Sequence, residues 1–139
     1  MKAKPAARAK SQKSQKNVTA ENKRIVTKFY REFYVNQKLD VGPKYLSENL
    51  KQHRPNIGDG RQATIDEYVA YVKDHKTHKE EIKRVIAEGD LVAVHAAAID
   101  EPDQVAVVDI FRVKNGKIVE HWDVCQAVPE KSANSNTMF

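Results

Sequence analysis

The chain has 139 residues, enough for one domain around a single core. No apolar run approaches a membrane span, the N-terminus lacks the apolar core of a signal peptide, and a single cysteine, Cys125, excludes an internal disulfide. The net charge of +5 is carried by a tail, because Lys2, Lys4, Arg8, Lys10, Lys13 and Lys16 all precede the first acid, Glu21, and the remainder holds 18 basic against 19 acidic residues. That distribution weighs against a nucleic-acid partner for the folded body, and no membrane partner is expected. Cysteine usage suits a reducing compartment, so the expected location is cytoplasmic, an earlier-removed export leader aside. Residues 1–17 read as a disordered basic tail and 18–139 as the folded domain.

In chain order, Thr19 caps a helix expected to run to about Asn36, with Glu21 in its first turn. Ile25, Val26, Phe29, Tyr30, Phe33 and Tyr34 recur at helical spacing and form one broad stripe for burial. A short helix is expected over Val41–Leu46, with Pro43 in its first turn, then a short strand over Asn49–His53. The turn formers of Arg54–Gly60 make a loop, and a third helix spans roughly Gln62–Lys76. Strands follow near Glu80–Glu88 and Leu91–Ile99, split by Gly89-Asp90, and Glu101-Pro102-Asp103 turns the chain into a last hairpin. Helices gathered early and strands gathered late predict an α+β fold, with three N-terminal helices packed on a curved, mainly antiparallel sheet. The apolar Met138-Phe139 terminus is expected to dock on the pocket or on a partner subunit.

The hairpin, Val105–Gln126, organises the rest. Two β-branched runs flank Lys114-Asn115-Gly116, a strong hairpin signal. A two-residue turn would set Asp109 opposite Trp122. A three-residue loop with Gly116 left-handed in a bulge sets Asp109 opposite His121 and diagonal to Asp123, and this register sorts the side chains better. It puts Val105, Val107, Asp109, Phe111, Val119, His121, Asp123 and Cys125 on one face. Val108, Ile110, Arg112, Ile118, Glu120, Trp122 and Val124 fall on the other, where Arg112 and Glu120 can pair. Two carboxylates and an imidazole on an apolar face must be paired, shifted in pKa, or lining a wet pocket. The structural alternative for Asp123 is a bridge to His121, His95 or Arg54. His75 and His78, near a helix end, are expected to face solvent or to interact with the helix dipole.

The run AVVDIFRVKNGKIVEHWDV resembles the last hairpin of the SnoaL-like polyketide cyclases, part of the NTF2-like superfamily that also holds ketosteroid isomerase. The resemblance extends back through NLKQHRPNIGDGR and FYREFYVNQKLD and covers about Glu21 to the C-terminus. It implies a conical barrel with a deep pocket and a homodimer through the convex sheet face. Asp123 falls at the cyclases' catalytic aspartate. The cyclases' histidine position holds Asp109, a departure that matches the protonated aspartic acid of ketosteroid isomerase. Tyr30 falls where the isomerase's oxyanion tyrosine lies. The isomerase's base falls at about His53 or Arg54, where no carboxylate stands, so steroid-type isomerisation by that base is not expected.

The implied chemistry is cofactor-independent proton abstraction next to a carbonyl of a small or polyketide-like substrate, leading to aldol condensation, cyclisation or isomerisation. Asp123 and Asp109 are the candidate catalytic residues, with His53, His121, Tyr30 and His95 as substrate-binding candidates. Two other classes compete. One is a metal site from His53, His95, His121, Asp109 and Asp123, which lack any tight ligand spacing. The other is a non-enzymatic binding or protein-interaction module, because fold does not fix function.

Overall fold

The computed structural model describes residues 5–139. Helix α1 spans Pro5–Tyr30 and continues as a π-helical turn over Arg31–Val35. A 3-10 turn, Leu39–Val41, leads into the one-turn helix α2, Gly42–Tyr45. Strand β1 is Leu46–Gln52 and helix α3 is Arg61–Asp74. Four strands follow: β2 Lys79–Glu88, β3 Leu91–Asp100, β4 Asp103–Lys114 and β5 Lys117–Ala127. The sheet order is β1-β5-β4-β3-β2, with β1 parallel to β5 and the other neighbours antiparallel. The fold is therefore α+β, with the helices packed on a five-stranded mixed sheet. Among the described residues no helix is long and apolar enough to cross a membrane.

The stripe on α1 is the centre of the core. Val26, Phe29, Tyr30 and Phe33 are almost completely buried against Val92 and Val94 of β3, Phe111 of β4, Ile118 of β5 and Leu50 of β1. Each such aliphatic or phenyl side chain contributes roughly 2–3 kcal/mol on leaving water. The π-helical turn adds one residue to the helical period, closing with Asn36 N–H donating to the Arg31 carbonyl at 2.9 Å. It leaves the Tyr34 ring 4.7 Å from that of Tyr30, so both reach the same side of the sheet.

Two expectations are corrected here. Residues 1–4 of the expected disordered tail lie outside the described residues, but 5–17 form the start of α1. Side chains 7–17 are all exposed, so this stretch is held by the helix propensity of its Ala, Lys, Arg and Gln residues and buries no stripe. The hairpin register also differs. Asn115 and Gly116 have φ of 50° and 75°, the geometry of a two-residue type I′ turn, and Lys114 pairs with Lys117. A bulge then falls at Val119, between the Val113–Ile118 and Arg112–Glu120 pairs. Asp109 ends directly opposite Asp123, and Phe111 opposite His121. Ile118, expected outside, is fully buried, because the extra residue reverses the side chains on the turn side of the bulge.

Candidate active site

A cavity of about 260 Å³ lies between the helices and the inner face of the sheet. Val105, Val107 and Asp109 of β4 and His121, Asp123 and Cys125 of β5 form one wall. Tyr34 from the π-helical turn and Tyr68 and Tyr71 of α3 form the facing wall. Arg54 stands on the loop after β1, and His78 and Glu80 close the far end.

Ligand-type atoms of Asp109, His121 and Asp123 lie within 4.8 Å of one another. Asp109 Oδ1 is 2.7 Å from His121 Nε2, and Asp109 Oδ2 is 3.0 Å from the Tyr30 hydroxyl. His121 Nδ1 is 2.8 Å from Gln52 Oε1. The same Gln52 oxygen accepts the backbone N–H of Arg54 at 3.0 Å, which fixes the amide orientation, because a backbone N–H can only donate. His121 therefore carries a proton on Nδ1, and its Nε2 and Asp109 hold one proton between them. Asp123 Oδ2 accepts from Arg54 Nη1 at 2.8 Å, and Arg54 Nε donates to Asn56 Oδ1 at 3.0 Å. The Asp123 side chain is only 7% accessible while Arg54 is 42%, so the guanidinium sits at the mouth and the carboxylate inside.

Behind Asp109 the polar chain continues. The Tyr30 hydroxyl is 2.8 Å from Glu80 Oε2, and Glu80 Oε1 is 3.2 Å from His78 Nε2. His78 Nδ1 is 3.1 Å from Asp100 Oδ2, which also accepts the Tyr71 hydroxyl at 2.6 Å. Burial holds the Tyr30 hydroxyl well above the ordinary phenol range, with the Asp109 and Glu80 charges adding to it. Burial and the same two charges act likewise on Tyr34. Burial pushes the Glu80 carboxyl up against the opposing hydrogen bond from His78. Burial alone would lower His78, but its bonds to Glu80 and Asp100 outweigh it and the imidazole is raised. Asp100 is lowered, because its bonds from Tyr71 and His78 exceed the effect of burial.

Of the residues singled out by sequence, Asp109, Asp123 and His121 meet at the cavity. Tyr30 touches Asp109 from behind the wall. His53 and His95 are corrections. His53 Nε2 is 2.7 Å from Glu120 Oε2 and its ring stacks on Trp122 at 4.6 Å, on the outer face of the sheet. The strand ends one residue earlier than expected, and His53 turns outward. His95 pairs with Val108 across β3 and β4, also on the outer face, and contacts Arg84. His78 is a correction in the other direction: its side chain is 1% accessible, not solvent-facing. The Arg54 bridge to Asp123, weighed as a structural alternative, is formed.

Glu80, Tyr34, Tyr68, Tyr71 and Gln52 were not found by sequence. Glu80 had a signal, since it shares strand parity with the inward Ile82 and pairs with Ala98. Asp109, His121 and Asp123 are ligand types for a cation. Tyr30 and His121 hold both oxygens of Asp109, and the Arg54 guanidinium neutralises Asp123 through Oδ2, leaving Oδ1 open to the cavity.

A family model of SnoaL-like polyketide cyclases matches residues 24–131. The chain belongs to the SnoaL-like polyketide cyclase family. No curated protein sequence matches it. Among solved structures, a candidate ketosteroid isomerase from Kribbella flavida is 16% identical, with TM-score 0.71 over 84% of this chain and 85% of its own. IdmH, a candidate polyketide cyclase from Streptomyces antibioticus, is 17% identical, with TM-score 0.66 over 75% and 91%. AclR, a candidate hydroxylase from Streptomyces galilaeus, is 20% identical, with TM-score 0.66 over 78% and 90%. At these identities the likeness is one of fold. The SnoaL-like match ends before the C-terminal segment, whose Phe139 ring lies 6.1 Å from that of His95 and under Lys83, on the outer face and away from the cavity.

Proposed function

We propose that this SnoaL-like chain is a cofactor-independent acid/base enzyme that removes a proton next to a carbonyl of a small, flat substrate and directs the enolate into aldol cyclisation or isomerisation. The observation that carries the reading is the meeting of Asp109, His121 and Asp123 within 4.8 Å at one cavity wall. Asp123 is the base. Its Oδ2 is pinned by Arg54, which orients the carboxylate and leaves Oδ1 for the substrate. The Asp109–His121 pair holds one proton and is the acid. The enolate oxygen needs a donor facing the cavity, and Tyr34 fits this role better than Tyr30. Tyr34 lines the cavity, and its hydroxyl makes no hydrogen bond among the described residues, whereas Tyr30 is 1% exposed behind Asp109. A well-placed donor of this kind is worth about 3 kcal/mol in the transition state. The tyrosines and the facing valines make a slot that suits a planar ring.

The proposal includes a homodimer through the outer sheet face, where Val124 and Ile86 remain 67% and 64% exposed.

The test is a panel of small ketones, β-keto esters and aromatic polyketide mimics, assayed for turnover and for binding with wild type, Asp123→Asn and Asp109→Asn. Lost turnover with retained binding supports the enzyme. A second reading, a small-molecule carrier, is favoured by the fact that each acid already has a partner. Retained affinity with no turnover by any of the three proteins supports the carrier.

A further inference from the structure

We propose that Glu80 and Asp109 share a single proton through the Tyr30 hydroxyl, and that Glu80 thereby sets whether Asp109 meets the cavity as an acid or as an anion. Its bearing on catalysis rests on the acid/base reading above; the sharing itself does not.

The geometry demands a proton. The Tyr30 oxygen lies 2.8 Å from Glu80 Oε2 and 3.0 Å from Asp109 Oδ2. A phenol has one hydrogen and can donate to only one of these oxygens; toward the other it must accept. An ionised carboxylate only accepts, so one of the two carboxyls carries a proton on the oxygen facing Tyr30. Tyr30 is 1% exposed, and the Glu80 and Asp109 side chains are 9% and 8% accessible, so bulk water does not fill the gap. Two carboxylates without a proton between them would meet unscreened in a low dielectric.

The surroundings make either position tolerable. A charge on Glu80 faces the His78 imidazole, which is itself backed by Asp100 and Tyr71. A charge on Asp109 faces His121, backed by Gln52. From the other packed elements, Tyr34, Tyr68 and Arg54 also face the pair, and Asp123 stands opposite Asp109. His75 is exposed and stacks on the Tyr71 ring, beyond Asp100. The raised Glu80 carboxyl agrees with a proton resting at that end.

Transfer is balanced. The Asp109 Oδ2–H bond breaks as the Tyr30 oxygen takes that proton, while the Tyr30 O–H bond breaks as Glu80 Oε2 takes the phenolic one. The phenol is regenerated, and the negative charge moves from Glu80 to Asp109. The strongly raised Tyr30 hydroxyl keeps phenolate out of the path, so the two transfers are concerted. Asp109 then faces the cavity as an anion, and the reverse transfer restores its acid form. Glu80 touches no reacting atom in this scheme; it acts through Tyr30.

The test needs no substrate. Infrared spectra of the ligand-free protein at neutral pH should show one protonated-carboxyl stretch. Glu80→Gln should abolish it, and so should Asp109→Asn, because in each variant the new amide supplies the hydrogen that Tyr30 needs. A band surviving in Asp109→Asn would mean that Glu80 is merely a buried acid, and absence of the band in wild type would remove the shared proton. Carboxyl ¹³C NMR of wild type requires no variant. Both carbons should report the same two titration steps, and two independent single steps would overturn the proposal. If the infrared and NMR results hold while no carbonyl compound is turned over, the shared proton stands and the enzymatic reading falls.

Discussion

At the scale of single residues, the site is a set of acids whose partners differ. Asp123 has a guanidinium, Asp109 an imidazole and a phenol, and Glu80 a phenol and an imidazole. Asp123→Asn should lower turnover by about 10²–10⁴-fold, the usual contribution of a general base, with little change in ligand affinity. Steady-state kinetics with any substrate from the panel checks this. The His78 environment makes a prediction about stability and pH. Its folded-state pKa is raised from 6.5, so its contribution is complete below that value and lost as pH rises through the folded value. Glu80, raised from 4.5, acts in the same sense from a lower starting point. Asp100, lowered from 3.8, acts oppositely, and its contribution disappears only as pH falls below that value. Urea midpoints should therefore fall as pH rises above 6.5, and His78→Asn should flatten that fall. The sequence concealed His78 because it stands in a turn, where no periodicity tells inside from outside. His121 and Asp109 were legible, since a strand's alternation needs only a parity.

At the scale of elements, the hairpin shows where parity fails. The alternation of β4 and β5 gave the inner face from Val105 to Phe111 and from His121 to Cys125. It misassigned Ile118 and Val119, because the sequence does not say whether the extra residue lies in the turn or two residues beyond it. The two placements predict different energetics. With the bulge at Val119, Ile118→Ala should cost about 3 kcal/mol as a core truncation, and Val119→Ala under about 1 kcal/mol. Chemical denaturation of the two variants checks this, and the reverse order would restore the bulged loop at Gly116. The same limit applies to His53. A strand ending at Gln52 instead of His53 exchanges a cavity ligand for an outer-face partner of Glu120 and Trp122. Helix α1 was easier, because six apolar side chains at helical spacing leave one way to bury them. Its π-helical turn, which aims Tyr34, left no mark in the sequence pattern.

At the scale of the whole molecule, the helical start of α1 and the outer sheet face are both separable from the cavity. Deleting residues 1–17 should leave the thermal midpoint within a few degrees, because side chains 7–17 bury no apolar surface. Calorimetry checks it. On the outer face, Val124→Lys should shift the proposed dimer to monomer in sedimentation, without changing the cavity residues. The cavity itself carries the main claim. The most direct measurement is deuterium wash-in at the α-carbon of a bound ketone in D₂O, followed by NMR for wild type and Asp123→Asn. Wash-in well above the solvent rate with wild type, falling about a hundredfold or more in Asp123→Asn, is the expected result. Equal rates for the two proteins with the ketone demonstrably bound would contradict it.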